Sequence, residues 1–122
     1  MNYKHLIEVI KDNTKRFTTK EAIFYKDVTS KKWVGISWNN FFEQIQNVSK
    51  ALIHFGIKEQ DNIGIFAQNM TEWIIADIGI MGVRAVTVPI YATNSTKETA
   101  YIVNDAEISV LFVGDQEEFD KA

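Results

Sequence analysis

The feature that most constrains this chain is the stretch from Asn62 to Tyr91, which reads as one strand–helix–strand unit. Ile63 to Ala67 is short and almost wholly apolar, with no polar residue at alternate positions, as expected of a strand covered on both faces. Asn69 is expected to cap the following helix, with Glu72 three residues on reaching back in a capping-box arrangement. That helix is expected to run to about Val83. Trp73, Ile74, Ala76, Ile78, Ile80 and Met81 leave Asp77 as its one clearly polar position, so burial on most sides is expected. Val86 to Val88 is β-branched throughout and reads as the second strand, with Pro89, which has no N–H to give, as its stop.

The unit needs a domain around it, and 122 residues are about one domain's worth. Hydrophobic residues make up 46% and charged residues 24%, which argues against disorder. The absence of cysteine removes disulfides and thiolate chemistry, and two isolated histidines, His5 and His54, do not make a zinc site. A cytoplasmic setting fits this usage. The N-terminus lacks an apolar core segment, and the longest apolar run, Trp73 to Val83, is broken by Asp77, so neither a signal peptide nor a membrane span is read.

Charge is uneven. Residues 1–61 carry 10 Lys+Arg against 7 Asp+Glu, and residues 62–122 carry 3 against 9. The basic cluster Lys11, Lys15, Arg16, Lys20, Lys26, Lys31 and Lys32 is interleaved with Glu8, Asp12, Glu21 and Asp27, and reads first as a solvated face, with peripheral membrane contact as the second reading. Nucleic acid is not an expected partner, because the nearby aromatic residues sit in apolar patterns.

In chain order, Tyr3, Leu6, Ile7 and Ile10 predict a short amphipathic helix from about Asn2 to Asn13. Ala22–Tyr25 and Trp33–Ile36, around the polar turn Lys26–Lys32, predict a hairpin. Ser37 opens the clearest helix, with a stripe of Phe41, Ile45, Val48, Leu52 and Phe55, widened by Phe42 and Ala51. Gly56 ends it in a left-handed conformation, with Ile57 packing back. After the central unit, Ser95-Thr96-Lys97-Glu98 is a capping box opening a helix to about Asp105. Ile108–Val113 is a third strand, and Gln116–Ala122 begins another helix, an ending that suggests a piece of something longer. Alternating strands and helices predict an α/β fold: a parallel sheet with flanking helices and right-handed crossovers, preceded by the short helix and hairpin.

Chemistry is sparse. No glycine-rich phosphate loop, nucleophile elbow or H-E-x-x-H motif is present. Gly79 and Gly82 lie within a helix and read as close packing, His54 as a surface or boundary histidine, and Asp77 as an exposed edge of its helix. No residue is therefore assigned a catalytic, cofactor-binding or metal-binding role.

Several segments nevertheless occur in a telling order. Ile36-Ser37-Trp38-Asn39-Asn40-Phe41-Phe42 is followed by Ala51-Leu52, Gly56-Ile57, Gln68-Asn69 with Glu72-Trp73, and Ala85-Val86-Thr87-Val88-Pro89-Ile90-Tyr91. Together they resemble the N-terminal region of the acyl-adenylate-forming superfamily. Pro89-Ile90-Tyr91-Ala92-Thr93, with Tyr101-Ile102-Val103-Asn104-Asp105 and Val110-Leu111-Phe112-Val113 downstream, is similar to its long-chain fatty acid–CoA ligase branch. The match runs from about Ala22 to Val113.

The resemblance implies that residues 1–122 are the N-terminal portion of a larger AMP-binding domain. The parent would join a fatty acid to coenzyme A with ATP and Mg2+, through an acyl-adenylate, releasing AMP and pyrophosphate. The phosphate loop and catalytic lysine of that family would lie beyond Ala122. The segment alone is thus expected to be inactive, to bind no cofactor, and to self-associate through uncovered apolar surface. A different adenylate-forming enzyme, activating aryl or amino acids, and a non-catalytic α/β ligand-binding or interaction module are the alternatives. Three positions depart from the family pattern. Asn40 stands where an acid is common, and Gln60 and Arg84 stand where glycine is. A positive φ at Arg84 costs roughly 1 kcal/mol, so the turn is expected to be rebuilt around it.

Overall fold

A computed structural model describes residues 2–122. In chain order the elements are α1 (Leu6–Phe17), β1 (Glu21–Lys26), β2 (Trp33–Ser37), α2 (Trp38–His54), β3 (Asn62–Ala67), α3 (Thr71–Gly82), β4 (Val86–Tyr91), α4 (Thr96–Asp105), β5 (Val110–Val113) and α5 (Gln116–Lys121). β1 and β2 form an antiparallel hairpin, and the other strands form a parallel sheet in the order β4-β3-β5. The α/β class, the parallel pairing and the separate hairpin are as the alternation of patterns predicts.

The all-apolar β3 is central, as its composition requires. Ile63 and Ile65 point to one face, where they form a core cluster with Leu52 of α2 and Ala76 and Ile80 of α3; Val110 and Phe112 pack beside it. Strand alternation sends Phe66, fully buried, to the opposite face, level with Ile90 of β4. A second cluster of Ile10, Phe41, Ile45, Ile75 and Ile78 joins α1, α2 and α3, and Ile23 and Ile36 of the hairpin rest on it. The α2–α3 crossing is close: the Ser49 hydroxyl donates to the Gly79 carbonyl at 2.7 Å. Among the described residues no helix is long and apolar enough to cross a membrane.

The caps at Ser37, Gly56 and Ser95 form as their chemistry predicts. The Ser37 hydroxyl accepts the Asn40 N–H at 3.2 Å. Gly56 has φ +83°, and the Ile57 N–H returns to the Leu52 carbonyl at 3.0 Å. Ser95 and Glu98 complete a capping box, and the Ser95 N–H and hydroxyl that donate to the Glu98 carboxylate hold it below its ordinary pKa.

Other expectations shift. α1 starts at Leu6, not Asn2, because the preceding segment folds across its side: the Tyr3 hydroxyl donates to Asp12 Oδ2 at 2.6 Å, and the Lys4 N–H donates to Glu8 Oε2 at 2.9 Å. It runs past Asn13 because Thr14 satisfies its hydroxyl on the Ile10 carbonyl and Phe17 lies against Trp38. Asn69 does not cap α3. Met70 takes that position without a side-chain bond, and Glu72 instead accepts the Thr71 hydroxyl at 3.0 Å. Phe55 leaves the α2 stripe and is 71% exposed, since it lies one residue past the last helical turn. Asp77 is half-buried, less open than its expected edge position. β4 continues through Pro89, paired with Ile65, to Tyr91. Among the described residues it is an edge strand, where proline can turn its nitrogen to the open side.

The turn at Arg84 is not rebuilt. Arg84 takes φ +60° and Gln60 φ +70°, and the two meet, the Gln60 N–H donating to the Arg84 carbonyl at 2.9 Å. That bond joins the two departures from glycine into one paired junction between α3 and β3. An L-residue pays about 1–2 kcal/mol in the left-handed region, while glycine loses about 0.5–1 kcal/mol more backbone entropy on folding. Arg84→Gly should therefore raise stability by about 0.5–1 kcal/mol in denaturant titration. The exposed Arg84–Glu59 pair, 3.6 Å apart, offsets little of this.

Candidate functional site

In an open parallel sheet, loops leave the carboxyl ends of the strands, and a crevice opens where successive crossovers go to opposite sides. This sheet has such a point. β3 connects through α3 to β4 on one side, and β4 connects through α4 back across β3 to β5. With both crossovers right-handed, α3 and α4 lie on opposite faces, and the switch falls between β3 and β5.

A crevice of about 330 Å³ lies beside that point, at the carboxyl ends of β3 and β4. Gln68 and Asn69, from the loop after β3, face Tyr91 and Thr93, from the end of β4 and its loop, with Trp73 and Pro89 lining it as well. A smaller cavity of about 80 Å³ lies between β3 and β5, and Trp73 borders both. The lining thus offers amides, hydroxyls and aromatic surface. It offers no lysine or arginine. The first turn of α3 already carries the Glu72 carboxylate, which takes up the favourable negative charge at that helix end. Such a crevice suits a neutral or apolar group and is poorly made for a triphosphate. Among the described residues, no group of three or more His, Cys, Asp or Glu could hold a metal ion.

The residues weighed in the sequence scatter from this place. His54 is exposed at the end of α2, against Phe55. Gly79 and Gly82 lie at the α2–α3 crossing, as close-packing glycines should. Only the loops Gln68-Asn69 and Tyr91–Asn94 come together.

One group escaped the sequence reading. Glu118 of α5 is 1% exposed, and its Oε2 has no partner among the described residues. Asp115 caps α5 by accepting the N–H groups of Glu117 at 2.9 Å and Glu118 at 3.3 Å. The neighbouring Asp115 carboxylate, together with burial, raises the Glu118 carboxyl above its ordinary pKa, while the Glu118 side chain and N–H beside Asp115 hold the Asp115 carboxyl below its own. The spacing D-x-x-E is the signal that could have found it. α5 is also tied to the crevice, because Lys121 donates to the Ala92 carbonyl at 3.3 Å and pairs with Glu117 at 2.9 Å.

The raised Glu118 carboxyl contributes stability below the ordinary glutamate pKa, and that contribution fades as pH rises through the raised value. Glu118→Gln, which cannot ionise, should therefore raise the thermal midpoint above neutrality and converge with the parent in mild acid. A constant offset across pH would show that Glu118 is not protonated in the folded chain.

Comparison with known proteins bears on what the crevice belongs to. The family described as AMP-binding enzyme matches residues 10–122. The human protein named long-chain-fatty-acid–CoA ligase ACSBG2 is 30% identical over 114 residues, 93% of this chain and 17% of that protein. Fatty acyl-CoA synthetase A of Dictyostelium discoideum is 39% identical over 80 residues, 66% of this chain and 12% of its own length. In structure, the N-terminal subdomain of Klebsiella oxytoca NpsA, solved with 3-hydroxyanthranilyl-AMSN, superposes with a TM-score of 0.79 at 18% identity over 93% of this chain and 28% of that one. The chain thus spans less than a fifth of these curated relatives, and the structural likeness speaks for the fold alone. The match across nearly the whole chain, with the fold it predicts, shows that the chain belongs to the AMP-binding enzyme family.

Proposed function

We propose that residues 1–122 are the N-terminal portion of an adenylate-forming domain in a cytoplasmic long-chain fatty acid–CoA ligase. The observation that carries the reading is the 30% identity to a long-chain ligase across 93% of the chain. In the proposed reaction a fatty acid carboxylate oxygen attacks the α-phosphorus of ATP and pyrophosphate leaves. The thiolate of coenzyme A then attacks the acyl carbonyl and AMP leaves.

The residues described here do not fit ATP or Mg2+, for the reasons of charge and ligand count given above. Their part is structural: they build one wall of a larger domain and present the crevice bordered by Trp73 and Tyr91. The parent should exchange pyrophosphate into ATP only when a fatty acid is present. Exchange driven by an aryl or amino acid, with none for any fatty acid, would overturn the branch assignment.

The isolated 122 residues should bind neither ATP nor coenzyme A in calorimetric titration, and should self-associate. Both β4 and β5 are edge strands among the described residues, and an open strand edge templates pairing with another chain. A strictly monomeric species in sedimentation equilibrium at micromolar concentration refutes the association. Measurable micromolar ATP binding would mean that the crevice reading is wrong.

A further inference from the structure

The β1–β2 hairpin reaches past the core it rests on. Ile23 and Ile36, paired across it, pack on the second core cluster, and the strands then continue outward. Phe24 and Lys26 share the opposite face with Trp33, because Lys26 pairs with Trp33 and residues two apart on a strand point the same way. Phe24 is 57% exposed, Trp33 70% and Val28, at the tip, 90%. Glu21 is the acidic residue of the hairpin on that face, at its base against Gly35, and the exposed Glu72 of α3 lines the recess beside Phe24, Lys26 and Val28.

The tip is held in one shape. The Asp27 N–H donates to the Lys32 carbonyl and the Lys31 N–H to the Asp27 carbonyl, both at 2.8 Å. The Asp27 carboxylate is turned into the turn, where it accepts the Ser30 N–H at 2.7 Å, and this bond keeps its pKa low. Around the apolar tip stand Lys26, Lys31 and Lys32, all exposed, with Asp27 as the acid among them. An apolar point ringed by lysines has two needs: an apolar medium for Val28, Phe24 and Trp33, and negative charge at the level of the ammonium groups. Tryptophan and lysine both suit a boundary where one end is apolar and the other wet.

We infer that the β1–β2 hairpin tip, with Phe24, Val28 and Trp33 ringed by Lys26, Lys31 and Lys32, docks on an anionic phospholipid surface. The charge complementarity selects this occupant. A nucleic acid would match the lysines and stack on Trp33, but would leave Val28 in water. The inference rests on the hairpin alone and does not depend on the ligase reading.

The test is flotation of the protein with vesicles of mixed phosphatidylglycerol and phosphatidylcholine, against vesicles of phosphatidylcholine alone. Binding should be at least about tenfold stronger to the anionic vesicles and should weaken with added salt. Each lysine near such a surface is worth about fivefold, so Lys26→Gln, Lys31→Gln and Lys32→Gln together should lose about a hundredfold. Phe24→Ser with Trp33→Ser should also release the protein, and both variant sets should retain the parent circular dichroism and thermal midpoint. Because the lysine set alters exposed side chains only, it remains informative if the aromatic set fails to fold. Equal binding to neutral vesicles, or indifference to both variant sets, overturns the inference. So does a change in sedimentation without a change in vesicle binding, which would make the hairpin an interface between copies. Retention by a single-stranded oligonucleotide in place of vesicles overturns it as well.

Discussion

Leu52→Ala should lower the stability of the folded chain by about 2–5 kcal/mol, measured by urea titration with an unchanged slope. Leu52 is 1% exposed and lies in the cluster with Ile63, Ile65, Ala76 and Ile80, where the central strand meets both α2 and α3. Truncation removes buried methyl groups and leaves a hole that three elements would have to close together. Lys50→Ala, two residues away on the solvated side of the same helix, should cost under about 0.5 kcal/mol. Equal, small effects from the two would mean that the helix face is misassigned.

That contrast also shows what the sequence could disclose. Phe41, Ile45 and Leu52 are buried because helical periodicity and burial share one cause, the need of an amphipathic helix to hide a stripe. Ile63 to Phe66 were readable for a similar reason, since a run with no polar alternation has to be covered on both sides. Ser95 and Glu98 announced their helix through a local bond that depends on no distant residue.

Where the outcome depended on distant partners, local pattern erred. Pro89 stops a strand only if both sides of that strand must be paired, and β4 is an edge among the described residues. Asn69 and Glu72 have capping spacing, yet α3 begins after Met70, and Asn69 faces the crevice instead. The crevice itself has no motif. It comes from the parallel pairing of β3 with β4, which sets the loops after two strands side by side at their carboxyl ends, a property of topology and not of any residue. Lys121 reaching the Ala92 carbonyl, 29 residues back, is invisible for the same reason. In the sequence, the resemblance to the ligases is carried by the order of segments across the chain, and the crevice chemistry contributes only the exclusion of a phosphate cradle.

The second large effect is expected at Gly79, where α2 and α3 cross. A Cβ built there would stand 2.5 Å from Val48 Cγ1, 2.7 Å from Val48 Cβ and 3.2 Å from the Ile45 carbonyl oxygen. Valine on a helix is held to one rotamer, and a backbone carbonyl cannot step aside, so the helices themselves must separate. Alanine gains about 0.8–1.0 kcal/mol of helix propensity over glycine. Overpacking of this kind costs about 1–3 kcal/mol or more, so Gly79→Ala should still destabilise, and Gly79→Leu should exceed about 3 kcal/mol. Separation would also break the Ser49 hydroxyl bond to the Gly79 carbonyl. Trp73 belongs to the same helix and borders both cavities at the strand ends, so the spacing of this crossing also sets the shape of the crevice. A double-mutant cycle with Val48→Ala isolates the contact: the smaller side chain should recover about 0.5–3 kcal/mol of the Gly79→Ala loss as coupling energy. Strict additivity of the two substitutions would place the strain elsewhere and refute close approach as the reason for glycine.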